Sequence, residues 1–264
     1  IRKLNKTIKD EFCFTSNFIE ELLSENILVK DIKIISNEEI YLLSYERLLD
    51  YAQAMYILTK YKDETLRLFL SAKENLYIFD DRYKGLLEML IIYSSDVCNQ
   101  ELLEYIPDAF KDSVFEIYLS SFQWRKSYPN NTILNDWVKK QITDLKKRTL
   151  FFESIFYVVA KENCPFNAEY LFDLLFPMSM AERDFFWSIA ISSYTKMFYE
   201  EINSVSRMFN YVKNNEIYLS DDVLFLYSIA FTWLFSLSNK KIRDVATKCL
   251  IKLLTNNTNV LFDV

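Results

Sequence analysis

DDVLFLYSIAFTWLFSLSNKKIRDVATKCLIKLL, residues 221–254, holds two helical patterns, 221–237 and 240–254, separated by a short polar break. The first contains the longest uncharged run, Val223 to Asn239, yet Ser228, Thr232, Ser236, Ser238 and Asn239 interrupt it. A membrane span needs about 20 apolar residues, so this run reads instead as a helix buried on most of its faces. The second places Ile242, Ala246, Cys249 and Leu250 on one face, with Arg243-Asp244 in its first turn. Small Ala246 and Cys249 permit close approach of a neighbouring helix. Two such helices joined by a short link pack as an antiparallel pair, and pairs stacked in one direction form an α-solenoid.

The rest of the chain repeats this grammar. An average chain of 264 residues with about 7% glycine would carry roughly 18, and this one has only Gly85. Proline occurs only at 107, 129, 165 and 177, so tight turns are scarce and long helices are favoured. The periodicity predicts helices near 64–71, 82–94, 99–105, 108–127, 132–147, 149–161, 167–176, 179–195 and 198–213, besides the final pair. Start signals accompany several of them: Ser179-Met-Ala-Glu182 is a capping box, and Asn167, Thr132 and Ser220 can each cap a helix. The exception is ILVKDIKIISNEEIYLLSY, residues 27–45, whose β-branched runs around Ser36-Asn37-Glu38-Glu39 predict a hairpin. A helix follows, with Tyr45, Leu48, Leu49, Ala52, Met55 and Tyr56 on its apolar stripe and Glu46, Asp50 and Gln53 away from it. The expected organisation is therefore all-α, with a small winged-helix remnant over residues 1–60 and a helical-repeat region over 61–264. The 240–254 helix resembles the second helix of a HEAT repeat, V-R-x-x-A-x-x-A-L. No strict period recurs, so the expected solenoid is a degenerate one, HEAT-like or TPR-like.

Composition removes several kinds of chemistry. With 31 Lys+Arg against 37 Asp+Glu the formal charge is −6, which argues against nucleic acid as partner. A phosphate-binding loop or a dinucleotide fingerprint needs several glycines. The absence of histidine excludes a Ser-His-Asp triad, a Cys-His pair and His-ligated zinc. Cys13, Cys98, Cys164 and Cys249 show no C-x-x-C spacing and nothing resembles a secretory signal, so reduced thiols in a cytoplasmic protein are expected. The chain opens at Ile1 within a helical pattern, as a piece of a longer protein would.

The candidate site is Tyr45-Glu46-Arg47-Leu48-Leu49-Asp50, where Tyr45, Arg47 and Asp50 could make a polar contact between domains. The competing reading is a charged first turn in which Glu46 and Asp50 face solvent and Arg47 pairs with Asp50, worth only about 0.2–0.5 kcal/mol. Glu182-Arg183-Asp184 and Arg243-Asp244 also juxtapose opposite charges, but acids in a first helical turn are what the helix dipole selects. Phe185-Phe186-Trp187, Phe151-Phe152 and Phe231-Thr-Trp233 lack the interleaved basic residues of a base-stacking surface and are assigned to the core. The acidic pairs Glu20-Glu21, Glu38-Glu39, Asp80-Asp81, Glu200-Glu201 and Asp221-Asp222 are sequence neighbours that diverge on a helix, and are read as solvated surface. Lys139-Lys140 to Lys146-Lys147-Arg148 is the one local basic patch and a possible seat for an acidic partner.

Glu25-Asn-Ile-Leu-Val29, the hairpin and Tyr41-Leu-Leu-Ser-Tyr-Glu-Arg-Leu-Leu-Asp50 together resemble the segment that follows the nucleotidase module in large bacterial STAND NTPases, as found in AVAST antiviral systems. Similar blocks follow in the same order: Gly85-Leu-Leu-Glu88, Phe115 through Trp124-Arg125, Pro165-Phe-Asn-Ala168, Ser179 to Asp184 with Trp187, and Trp233 through Ile242 to Lys248. The resemblance implies a cytoplasmic bacterial protein in which ATP and Mg, bound upstream of Ile1, couple recognition of a protein ligand such as a phage component to an effector. It implies no cofactor in this segment, the upstream nucleotide module as partner, no membrane contact, and an oligomer in the activated parent. Tyr45, Arg47 and Asp50 would then lie at an inter-domain hinge. The family pattern often has His after the aspartate of Tyr-Glu-Arg-x-x-Asp. Tyr51 stands there in this chain, so no nucleotide-sensing role carries over to that position.

Overall fold

A computed structural model of the chain describes residues 16–33, 38–129, 131–196, 203–214 and 219–255. The fold is all-α apart from one hairpin. Helix α1 (Ser16–Ser24) precedes strands β1 (Leu28–Lys33) and β2 (Glu38–Leu43), and the remaining helices follow: α2 (Glu46–Lys60), α3 (Asp63–Ser71), α4 (Lys84–Cys98), α5 (Asp108–Lys111), α6 (Phe115–Ser121), α7 (Asn131–Gln141), α8 (Leu145–Val158), α9 (Ala168–Leu175), α10 (Met180–Arg183), α11 (Ile189–Lys196), α12 (Ser204–Asn214), α13 (Asp221–Phe235) and α14 (Lys240–Leu254). Between α10 and α11 the backbone runs through a π-helical turn, Asp184–Ser188. The strands pair antiparallel in the register Leu28↔Leu43 to Lys33↔Glu38. Glu38 and Glu39 thus belong to β2 rather than to the connecting turn, and Ser36-Asn37 lie outside the described residues, as do Cys13, Glu200-Glu201 and the opening of the chain.

Most of the packing links helices that are not sequence neighbours. Helix α2 packs on α4, α4 on α6, α6 on α8, α8 on α12 and α12 on α14, while α13 packs on both α14 and α9. These helices begin at residues 46, 84, 115, 145, 204 and 240. Most intervals are about 30–40 residues, the length of one helical repeat, with one longer step of about 60 between α8 and α12. Aromatic side chains fill the joints. Phe122 stacks on Phe166 with centroids 4.6 Å apart, Phe152 meets Trp187 edge-on at 4.9 Å, and Phe209 stacks on Phe231 at 5.8 Å. The buried Trp187 indole donates its N–H to Ser236 Oγ at 3.2 Å, so the largest core side chain is also satisfied.

The local signals explain where helices begin. Ser179 accepts from Glu182 N while the Glu182 carboxylate accepts from Ser179 N, closing the capping box. Asn167 caps α9 and Ser220 caps α13. Asp144 and Asn239 cap α8 and α14 in the same way, two signals the periodicity had overlooked. Asp144 also explains a shifted boundary: expected helices 132–147 and 149–161 are in fact divided after Gln141, because this cap starts a new helix at Leu145. The expected helix 108–127 is broken between Lys111 and Phe115, and 99–105 reduces to a 3-10 turn at Leu102–Glu104. Asn99, in the left-handed region at φ 51°, ends α4 at that point. A further 3-10 segment, Lys73–Phe79, occupies a gap for which no element is expected, and the expected helix 82–94 opens with a short 3-10 turn, Asp81–Tyr83, before α4.

The final pair follows its pattern. Helix α13 buries Leu224, Leu226, Ser228, Ala230, Phe231, Trp233 and Leu234, and α14 buries Ile242, Ala246, Cys249 and Leu253. Among the described residues no helix is long and apolar enough to cross a membrane.

Candidate functional site

The structure gathers the three predicted hinge residues at one end of α2, but with different partners. Tyr45 is the N-cap residue of α2 and is exposed. Arg47 does not pair with Asp50. Its Nη1 donates to Glu88 Oε2 on α4 at 2.5 Å, and Glu88 Oε1 accepts in turn from Ser120 Oγ on α6 at 3.2 Å. One carboxylate therefore joins α2, α4 and α6. Asp50 is 2% exposed, contrary to its placement on the polar face. Its carboxylate lies against the backbone of Gly85, where a Cβ would come within 2.0 Å of Oδ2. The apolar stripe is rotated accordingly, with Leu49, Ala54, Ile57 and Leu58 buried and Leu48 and Ala52 exposed. Tyr51 meets Tyr93 of α4 edge-on, centroids 5.0 Å apart. Tyr45, Arg47 and Asp50 thus mark the crossing of α2 over α4, and Gly85 and Glu88 are its missing members. Glycine scarcity was the signal that could have found Gly85.

The strongest electrostatic feature was missed altogether. Glu101, just before a 3-10 turn, and Arg125, just after α6, form a bidentate pair at 2.9 and 2.6 Å with both side chains fully buried. The Tyr128 ring lies 4.7 Å from the guanidinium, and Tyr128 donates its hydroxyl proton to Phe122 O at 3.0 Å. Lys161 Nζ donates to the carbonyls of Phe122, Gln123 and Arg125, tying down the chain that follows α6. Burial acts on groups around the pair: it pushes the Tyr118 hydroxyl well above the usual phenol range, raises the Cys164 thiol and lowers Lys161. For Arg125 burial is the largest single influence and opposes the charge, yet the hydrogen bonds and charge of Glu101 outweigh it and raise the pKa. The bidentate pair at its centre holds structure in place: both side chains are fully buried, out of reach of a substrate at the surface.

The remaining candidates resolve in the same manner. Glu182 is used in its capping box, and Arg243 Nη1 donates to Leu237 O and Ser238 O, so both charge clusters serve helix ends. Phe151, Phe152, Trp187 and Phe231 are fully buried. Phe185, within the π-helical turn, is the exception at 65% exposure. Asp80 is held down to about 2 by the Arg82 side chain and backbone N–H, a turn contact on the surface. Among the described residues no group of three or more carboxylate or thiol side chains is placed to hold a metal ion. Two shallow depressions, a 540 Å³ hollow beside Tyr61, Leu68 and Phe69 and a 380 Å³ hollow bordered by Asn135, Glu162, Glu169, Tyr170 and Asp173, are both open to solvent.

Cys98, Cys164 and Cys249 are free thiols, and burial raises all three above the usual range. Cys98 alone is partly exposed. A disulfide reagent at neutral pH is expected to label Cys98 first and slowly, and to reach Cys164 and Cys249 only on unfolding. Labelling of Cys164 in native buffer at the Cys98 rate, read by peptide mass mapping, would contradict the packing.

The chain matches no protein-family model, and comparison with curated proteins and with solved structures likewise returns no match.

Proposed function

We propose that this chain is a non-catalytic helical-repeat scaffold that couples recognition of a protein ligand to an upstream nucleotide module, as its resemblance to STAND NTPases implies. The observation that carries the reading is the relay of packed helices, α2 to α4, α6, α8, α12 and α14, whose starts recur at intervals close to a helical repeat. The hairpin lies at the entrance to this relay, and the Arg47–Glu88–Ser120 connection sits on its first three helices. A degenerate α-solenoid with a winged-helix remnant at its head is the architecture this favours. Displacement at the head would be felt along the array, and a ligand would shift the closed and open states only through different affinity for the two. The free buried thiols support a reducing, cytoplasmic setting.

Two measurements test the reading. The mass of the native gene product comes first: a product far above 31.6 kDa with a phosphate-binding loop upstream is expected, and one close to it would favour a free-standing helical adaptor. In the larger protein, Arg47→Ala is then expected to change the melting temperature little, because the Arg47 side chain is 58% exposed and an ion pair open to solvent on one side contributes about 1 kcal/mol. ATP turnover stimulated by lysate of phage-challenged cells should fall severalfold. If stability and stimulated turnover both match wild type, the hinge assignment is wrong.

A further inference from the structure

The outward side of α9 carries two aromatic rings and two carboxylates that the fold leaves uncovered. Glu169, Phe172, Asp173 and Phe176, the last capping the helix, recur at i, i+3, i+4 and i+7, the spacing that puts side chains on one helix face, and all four are exposed. Ala168, Leu171 and Leu175, on the other side, are buried. The rings of Phe172 and Phe176 stack with centroids 4.9 Å apart, yet they are 41% and 66% exposed. Phe172 also lies 6.1 Å from the ring of Trp233, a buried residue of α13, so the two phenylalanines form an aromatic ledge whose inner edge rests on the core.

Carboxylates collect beside this ledge. Glu169 and Asp173 border the 380 Å³ hollow together with Glu162, which comes from the loop before α9. Glu162 accepts from Ser220 Oγ and Glu169 from Asn167 Nδ2. Among the described residues none of the three is ion-paired, and no lysine or arginine borders the hollow. Lys161, next to Glu162 in sequence, donates its ammonium protons to the carbonyls of Phe122, Gln123 and Arg125 instead. Arg183 approaches the other end of the ledge, 5.7 Å from the Trp233 ring, whereas Asp173 lies about 100° round α9 from Phe172. Hydrocarbon and unmatched negative charge therefore adjoin each other on one exposed helix face.

We propose that this face of α9 docks a short basic segment of a partner protein. An arginine or lysine of the segment enters the hollow between Glu162, Glu169 and Asp173, and a neighbouring apolar side chain covers Phe172 and Phe176, where it removes exposed hydrocarbon from water. An arginine suits both halves of the surface, since its guanidinium can stack on a ring while it pairs with a carboxylate. Charge selects the sign of the partner: three carboxylates without a counter-ion repel a nucleic acid or an anionic lipid surface. Area selects its size. Two rings of about 150–250 Å² each, exposed to these fractions, offer roughly 200 Å² of hydrocarbon, against the about 800 Å² per partner that a stable dimer buries, so a segment of a few residues fits and a second copy of this chain does not. The proposal stands whether or not a nucleotide module precedes the chain.

The test uses the full chain and a phage-displayed library of random short peptides. Recovered peptides are synthesised with a fluorophore and titrated by anisotropy against wild type, the charge variant Glu169→Gln/Asp173→Lys, and Phe176→Ser. All three positions are exposed, and unchanged melting curves verify that the variants fold. The expected peptides combine Arg or Lys with an aromatic or aliphatic residue. Their affinity should fall about tenfold in the charge variant and severalfold from low to physiological salt, since exposed charges are screened. It should fall severalfold in Phe176→Ser, and peptides whose apolar residue is replaced by serine should bind wild type correspondingly more weakly. The proposal is overturned if no basic peptides are enriched, if either variant binds them like wild type, or if free spermidine binds more tightly than the peptides.

Discussion

Arg125→Met should lower the stability of this chain by about 3–5 kcal/mol, because it strands the Glu101 carboxylate in a site without water or counter-ion. For a chain of this size each kcal/mol moves the melting temperature by about 2–4 °C, so a fall of roughly 10 °C is expected in calorimetry. The size of the effect follows from the geometry. Both side chains of the pair are fully buried and bonded through two short N–H···O contacts, so neither charge can turn to solvent when the other is removed. The cost is that of an unpaired buried ion, not the net worth of the pair. Glu101→Leu/Arg125→Met should accordingly recover most of the loss, since replacing both charges by apolar groups also removes their desolvation. A single variant melting within about a degree of wild type would show that water reaches the site. A double variant no better than Arg125→Met would show that shape, not charge, is what the pair contributes.

The two residues of that pair illustrate what a sequence withholds. Glu101 and Arg125 lie far apart in the chain, Glu101 directly after Asn99-Gln100 and Arg125 directly before Lys126-Ser127, and periodicity assigns such charged residues to the solvent side of whatever element holds them. Several helix starts, by contrast, are legible because a side chain caps its own backbone: Ser179, Asn167 and Ser220 act within a few residues of the N–H groups they accept from, although Asp144 and Asn239, which act in the same way, escaped the reading. The same local logic placed α13 and α14, whose buried faces follow directly from the spacing of their apolar residues. It failed where a helix is shortened by something outside the pattern, as between Lys111 and Phe115, and where the left-handed Asn99 ended α4.

The candidate site divides along the same line. That Tyr45, Arg47 and Asp50 would gather near the head of α2 was readable from their spacing, but their partners were not, because those partners sit on α4 and α6. Arg47 had an acid in reach at i+3 and takes Glu88 instead. Phe185, Phe186 and Trp187 read together as core, but three consecutive helical residues cannot share one face, and with Trp187 buried Phe185 lies outward within the π-helical turn. The one clue of wider reach was compositional. A chain that does without glycine elsewhere has a reason for keeping one, and a helical glycine with ordinary φ points to close approach by a neighbour rather than to a turn.

Gly85→Ala puts that inference to a direct test, because two opposed effects act on the same methyl group. Alanine is the better helix former by about 1 kcal/mol, so on propensity alone the substitution near the start of α4 should stabilise the chain. Against this, the new Cβ would lie 2.0 Å from Asp50 Oδ2 and 3.0 Å from its Cγ. A long exposed side chain could swing aside, but Asp50 is short and 2% exposed, and its carboxylate can yield only if α2 moves away from α4. Overpacking of this kind costs about 1–3 kcal/mol, so the clash should win and the net loss should be roughly 1–2 kcal/mol. The double-mutant cycle separates the two terms: Asp50→Ala removes the obstructing carboxylate, and in that background Gly85→Ala should be neutral or stabilising, a coupling of about 1 kcal/mol or more. Chemical denaturation of the four proteins measures it. A higher denaturation midpoint for Gly85→Ala in the native background would mean that α2 and α4 do not approach at this point, and with that the crossing that carries Tyr45, Arg47 and Asp50 would lose its anchor.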